Sequence, residues 1–185
     1  MPDGDTDRSG GRTALVLGGA RSGKSRFAEQ LVLSARLPTL YVATAEARDG
    51  EMSERIAQHR ARRDASWTTR EQPLDLVGAL AGAEGRAVLV DCLTLWLSNL
   101  LEAGRDPVAE GERLAAALGA MATPVVLVSN EVGSGIVPMN ALARRFADEQ
   151  GRLNQRIARA VRNVFFVAAG QPLRLKPRTE PEYSL

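Results

Sequence analysis

Eight residues near the start of the chain, Gly18-Gly19-Ala20-Arg21-Ser22-Gly23-Lys24-Ser25, have the types and spacing to hold a polyphosphate. They meet the pattern G-x-x-x-x-G-K-[ST] at every fixed position. Gly18 and Gly23 let the backbone turn so that its N–H groups converge on a phosphate. A helix opening directly behind the loop adds the positive end of its dipole at the same place. Lys24 can reach the β- and γ-phosphates, and the Ser25 hydroxyl can ligate Mg²⁺. Only Lys24 and Lys176 are lysines, every other basic residue being Arg, so Lys24 is not one of many surface lysines.

Three further places carry residues suited to chemistry. Asp91 closes an apolar run, where open α/β sheets present their ligands. With a phosphate loop upstream, such an acid holds Mg²⁺ directly or through water; the other role open to it is to cap the next helix. His59 is the only histidine. Its spacing with Met52 and Ile56 suits a packed residue on a half-buried face. Arg55, Arg60, Arg62 and Arg63 around it suit a phosphate site, where an imidazole can serve as base or as nucleophile on phosphorus. The segment Asn130 to Pro138, with Glu131, Gly133 and Gly135, reads as a second ligand loop or as a plain strand-to-helix connection. Trp67 and Trp96 read as packing residues.

These groups need a scaffold, and the pattern of apolar residues supplies one. Thr13 to Leu17 is a short apolar run that reads as a buried strand. From Lys24 to Arg36, Phe27, Ala28, Leu31, Val32 and Ala35 share one side of a helix. Further strands are expected at 39–44, 87–90 (ending at Asp91), 124–128 and 163–168, with a short edge strand at 173–176. Further helices are expected at about 51–65, 73–80, 93–101 and 108–121, and a long one from Pro138 through Ala160 with Gly151 as its weak point. Residues 67–71 carry no apolar run and are assigned no element. Strands that are continuously apolar and alternate with helices imply a mostly parallel sheet covered on both faces. The fold class is therefore α/β, a P-loop nucleotide-binding domain spanning residues 13–176, with a polar tail at 1–12 and another at 177–185.

Composition narrows the classes. The 185 residues suit one domain, and 44% hydrophobic with 25% charged residues is ordinary globular usage. A net charge of +2 without a long basic run gives no electrostatic stripe for nucleic acid. Cys92 is the only cysteine, which rules out an intrachain disulfide or a cysteine metal cluster and fits a reducing, cytoplasmic setting. The first eleven residues have no apolar core and read as a disordered tail rather than a signal or anchor. No apolar run approaches the roughly 18 residues of a membrane span.

Several motifs together resemble one family: Gly18 to Ser25, Tyr41-Val-Ala-Thr-Ala45, Arg55-Ile-Ala-Gln-His-Arg60, Trp67 with Glu71, Asp91-Cys-Leu-Thr94, Asn130-Glu-Val-Gly-Ser-Gly-Ile-Val-Pro138 and Asp148 to Gln155. The chain from about Thr13 to Lys176 is similar to the bifunctional adenosylcobinamide kinase/adenosylcobinamide-phosphate guanylyltransferases of cobalamin biosynthesis. The resemblance implies a RecA-like sheet, a homotrimer and two reactions. In the first, ATP or GTP phosphorylates the hydroxyl on the aminopropanol arm of adenosylcobinamide. In the second, GTP guanylylates a histidine, which passes GMP to the new phosphate to give adenosylcobinamide-GDP. By the resemblance the histidine is His59. The GTP-contacting positions are the phosphate loop, Ala43, Thr44, Ala45, Arg60, Ala61, Arg62, Arg63, Glu71 and Asp91, with Mg²⁺ at Ser25 and Asp91. Some members carry Glu where this chain has the shorter Asp91.

Two other classes fit parts of the sequence. One is a plain small-molecule P-loop kinase with a structural His59; the other is a non-enzymatic, nucleotide-gated binding module. The chain has no N-K-x-D guanine-selecting motif, which speaks against one class of switch. A covalent, acid-labile label from GTP labelled at the α-phosphate separates a guanylyltransferase from both.

Overall fold

The computed structural model describes residues 12–45, 66–135 and 138–177. The expected helix at 51–65, with His59, Arg60, Ala61, Arg62 and Arg63, lies outside them, as do the expected N-terminal tail up to Gly11 and residues 178–185. The strands are β1 (Thr13–Gly18), β2 (Thr39–Ala43), β3 (Trp67–Glu71), β4 (Ala87–Asp91), β5 (Val125–Asn130), β6 (Asn163–Ala168) and β7 (Gln171–Lys176). The helices among the described residues are α1 (Lys24–Leu33), α2 (Leu76–Ala81), α3 (Leu93–Glu102), α4 (Pro107–Ala120) and α5 (Ala141–Ala160). All seven strands form one sheet in the order β3-β2-β4-β5-β1-β6-β7, parallel throughout except for β7 against β6.

Continuous apolar runs become strands buried on both faces because neighbouring side chains point to opposite sides. Leu15 and Val16 are adjacent and both fully buried. Leu15 joins Val88, Leu127 and Val164 under α2 to α5, whose Leu80, Trp96, Leu114 and Ile157 complete that core. Val16 joins Leu89, Val128 and Val167 under α1, through Ala28 and Val32. Helices cover both faces, unevenly.

Several elements differ from the sequence expectation. Residues 67–71 form β3, an edge strand whose last four side chains are exposed, so no apolar run marks it. α2 opens at Leu76 rather than Pro73. The Gln72 side chain accepts from the N–H groups of Leu74 and Asp75 in a turn, and Asp75 then caps the helix by accepting from Gly78 N. α5 opens at Ala141 rather than Pro138, capped by Asn140, which accepts from Ala143 N at 2.7 Å. Gly151 does not interrupt α5. α1 ends three residues early, at Leu33, and Arg36 beyond it takes a left-handed φ of 55°. β5 runs on through Ser129 and Asn130, and β7 starts at Gln171.

Lys176 has a plain structural place. Its Nζ donates to the carbonyls of Ala158, Arg159 and Val161 at 3.0, 3.0 and 2.6 Å. A cation is favourable there, against the negative end of α5.

Candidate active site

The register of the sheet collects the predicted residues that lie among the described ones at one edge. Ala43 pairs with Glu71 on one side and with Asp91 on the other, so three separate segments end in one line across β3, β2 and β4. Gly18 pairs with Asn130, and Glu131 N donates to Gly18 O at 3.1 Å, which brings the phosphate loop to the same edge. Ala45 follows in a half-buried position.

The loop from Gly18 to Gly23 has no room for side chains at its two fixed glycines. A Cβ on Gly18 would stand 2.5 Å from Ser22 Oγ and 2.6 Å from Val167 O. Gly23 has φ 95°, in the left-handed region that favours glycine, and its Cβ would meet Gly170 Cα at 3.0 Å. The turn between β6 and β7 lies against the loop from behind, with Gly170 N donating to Ser22 O at 2.8 Å. Holding that carbonyl outward leaves neighbouring N–H groups to face the other way. Gly23 caps α1, whose first-turn N–H groups open at this place. Gly19, Ala20 and Arg21 form the outer part of the loop, and Ala20 and Arg21 are exposed.

Lys24 Nζ makes one hydrogen bond to a described residue, donating to Gly19 O at 3.0 Å. Burial pulls its pKa below the usual lysine value, while Cys92 and the Asp91 charge push the other way. A half-buried ammonium with a single acceptor among the described residues is suited to bind an anion. The Ser25 hydroxyl, in the first turn of α1, makes no hydrogen bond to a described residue.

Asp91 does not cap α3. That position falls to Cys92, with no side-chain capping bond. Asp91 Oδ2 instead accepts from the Tyr41 hydroxyl at 3.0 Å. The peptide between Asp91 and Cys92 is cis. Thr44, fully buried, clamps this strand end: its Oγ1 accepts from Cys92 N and donates to Cys92 O, both at 2.8 Å. Its N–H donates to Asp91 O and its carbonyl accepts from Asn99 Nδ2. The Thr44 hydroxyl therefore holds the strand end that carries the acid. The Cys92 thiol is pushed up to about 11, first by burial and then by Asp91.

The segment after β5 is tied down at its start. Asn130 N donates to Thr94 Oγ1, and Asn130 O accepts from Asn154 Nδ2. Beneath it, Ser129, Gln150 and Asn154 form a buried cluster, with Ser129 Oγ donating to Asn154 Oδ1 at 2.7 Å and Gln150 Nε2 donating to both. Trp96 donates to Leu74 O from a buried position, and Trp67 packs edge-on against Tyr41. Both tryptophans pack, as expected.

Sequence reasoning missed the supports: the Tyr41 hydroxyl, Asn99, Thr94 and the β6–β7 turn. Asn99 and Gln150 are polar residues at inward helical positions, which is a signal that each has a buried partner.

Comparison with known proteins extends this geometry. The family described as cobinamide kinase / cobinamide phosphate guanyltransferase matches residues 14–175. The bifunctional adenosylcobalamin biosynthesis protein CobP of Pseudomonas aeruginosa is 53% identical over 166 residues, covering 88% of this chain and 96% of that protein. CobU of Salmonella typhimurium, of the same description, is 44% identical over 179 residues, covering 88% and 98%. Among solved structures, the RadB recombinase aligns at TM-score 0.50 and 19% identity, over 85% of this chain and 74% of that one. The flagellar accessory protein FlaH of Methanocaldococcus jannaschii aligns at 0.52 and 11%, over 95% and 85%. At those identities the likeness is one of fold, a RecA-like P-loop sheet.

Proposed function

Because this chain belongs to the cobinamide kinase / cobinamide phosphate guanyltransferase family, it is a bifunctional kinase and guanyltransferase, and we propose that one nucleotide site on the phosphate loop serves both reactions. The observation that carries this reading is Lys24, a half-buried cation with one acceptor among the described residues, within electrostatic reach of Asp91 at the end of β4. In the first reaction the loop and Lys24 hold ATP or GTP while the γ-phosphoryl passes to the hydroxyl of adenosylcobinamide. Positioning and charge stabilisation supply most of the catalysis in such transfers.

Mg²⁺ fits the residues present. The Ser25 hydroxyl and the Asp91 carboxylate are hard oxygen donors on adjoining elements, and Mg²⁺ is ordinarily held by one or two carboxylates together with substrate phosphates. Bound there, it would neutralise charge on the transferred phosphorus.

In the second reaction we assign the nucleophile to His59. Support comes from its being the only histidine and from the likeness of Arg55 to Arg60 to the family's histidine segment. Its ring nitrogen forms a bond to the α-phosphorus of GTP while the bond to the bridging oxygen breaks and pyrophosphate leaves. A phosphate oxygen of adenosylcobinamide phosphate then takes the GMP and frees the imidazole, giving adenosylcobinamide-GDP. Arg60, Arg62 and Arg63 are suited to the phosphates, and Ala43, Ala45 and Glu71 lie on segments facing the nucleotide. The resemblance supports a homotrimer, which sedimentation would read directly, and one buried cysteine suits a reducing cytoplasm.

The test uses GTP labelled at the α-phosphate. The protein should retain acid-labile label after denaturation, and His59→Asn should retain none while still phosphorylating adenosylcobinamide. Wild-type labelling of His59→Asn would remove His59 as nucleophile. Kinase activity with no label on the unmodified protein would leave the simple kinase reading.

A further inference from the structure

A buried tyrosine stands between the polar edge of the sheet and the acid at the end of β4. Tyr41 is 6% exposed, in the middle of β2. It pairs with Leu89, and two residues on, Ala43 pairs with Asp91. Strand alternation puts Tyr41, Ala43 and Asp91 on one face of the sheet. From there the phenol reaches along the strand and donates to Asp91 Oδ2 at 3.0 Å. Its ring is braced on the other side by Trp67 of β3, edge to face at 6.4 Å between centroids and 63° between planes. Buried and braced in this way, the ring holds its hydroxyl in place as a donor to the acid.

A fixed donor on one carboxylate oxygen sets the plane of the group, and with it the direction of the other oxygen. Asp has one fewer methylene than Glu, so the direction of its carboxylate depends closely on where that donor stands. Core packing alone would be served by Phe. The hydroxyl adds its bond to the acid, since a buried hydroxyl is costly without a partner.

We propose that Tyr41 is the positioning residue of Asp91: it fixes the carboxylate orientation in which the divalent cation of the bound nucleotide is met, and contacts neither cation nor nucleotide. This rests on the reading of Asp91 as the metal-side acid. Groups of this kind, one step behind a metal ligand, are commonly worth 10–100-fold in metal affinity or activity.

The experiment uses the full chain with guanosine 5′-(α,β-methylene)triphosphate, which His59 cannot cleave, and Mn²⁺ read by its electron paramagnetic resonance. Tyr41→Phe keeps the ring and should weaken Mn²⁺ binding by about 10-fold or more, with nucleotide affinity in chelator and melting temperature unchanged. In both reactions the Mg²⁺ concentration for half-maximal rate should rise. In an Asp91→Asn background Tyr41→Phe should add nothing further, because the two act as one unit. Mn²⁺ affinity unchanged in Tyr41→Phe but lowered in Asp91→Asn would overturn the positioning role alone. Mn²⁺ affinity unchanged in Asp91→Asn would remove the metal reading of Asp91 and the role of Tyr41 with it. Full additivity of the two substitutions would also overturn the proposal, by showing that Tyr41 acts elsewhere.

Discussion

The two lysines sit at opposite ends of two helices and show what separates a structural cation from a working one. Lys176 lies against the C-terminal end of α5 and spreads its three protons over three carbonyls of that helix end. Lys24 opens α1 at the end where the helix dipole is positive, which is electrostatically the wrong place for a cation. It is half-buried and donates to one carbonyl of its own loop. Lys176 is matched to its surroundings, whereas Lys24 is not. An anion with several oxygens would relieve the mismatch.

The comparison is broken most directly by removing its working member. Lys24→Ala should lower turnover in both reactions by about 10³-fold, on the scale of losing a main electrostatic donor to a transferred group. Its melting temperature without nucleotide should stay level or rise, because an unfavourable buried charge has gone. Near-normal turnover in either reaction would show that the two do not share a site.

A second test follows the alkaline limb of stability in the absence of nucleotide. The folded pKa of Lys24 is lowered by burial, so the folded state binds fewer protons than the unfolded one. Its contribution to stability therefore rises as pH climbs from that lowered value toward the ordinary lysine value of 10.5. Cys92 acts with the opposite sign. With a pKa raised from 9.0 to about 11, its buried neutral thiol favours folding below pH 9, and that contribution is lost between pH 9 and 11. Urea melts from pH 8 to 11 should show Cys92→Ala losing less stability over this range than the parent, by about 3 kcal/mol at most. Lys24→Met should lose more. Identical slopes in all three proteins would contradict both assignments.

The smallest effect belongs to the matched lysine. Lys176→Met keeps the stem and removes three bonds, so the urea midpoint should fall by an amount equal to about 1–2 kcal/mol. Turnover per folded molecule should not change. A loss of turnover without a loss of stability would mean that the end of α5 is coupled to the nucleotide.

Residues that signal by their own type or by near neighbours could be read in the sequence. The phosphate loop, the apolar strands β1, β4, β5 and β6, and Asp91 at a strand end needed only local spacing. β3 was not legible because an edge strand has no need of apolar residues. Its only signs were Trp67 and the β-branched Thr68 and Thr69. The opening of α2 was hidden because Pro73 is a good first helical residue, yet here the Gln72 turn comes before the Asp75 cap. The supports of the site were beyond reach for another reason. Tyr41 and Asp91 are 50 residues apart, and Thr44 and Cys92 are 48 apart. Such pairs exist only once the register between β2 and β4 is set, and register is decided by the packed sheet.

That sheet also fixes when the site comes into being during synthesis. β1, which leads into the phosphate loop, is flanked by β5 and β6, so Thr13 waits for Val125 and Ala14 for Asn163. The carbonyl of Ser22 waits longer still, for Gly170. β1 thus precedes both of its partner strands in the chain and gains its neighbours only after they are made, and contacts this distant in the chain form slowly. The phosphate loop is therefore braced from behind only once β6 and the turn after it have been made.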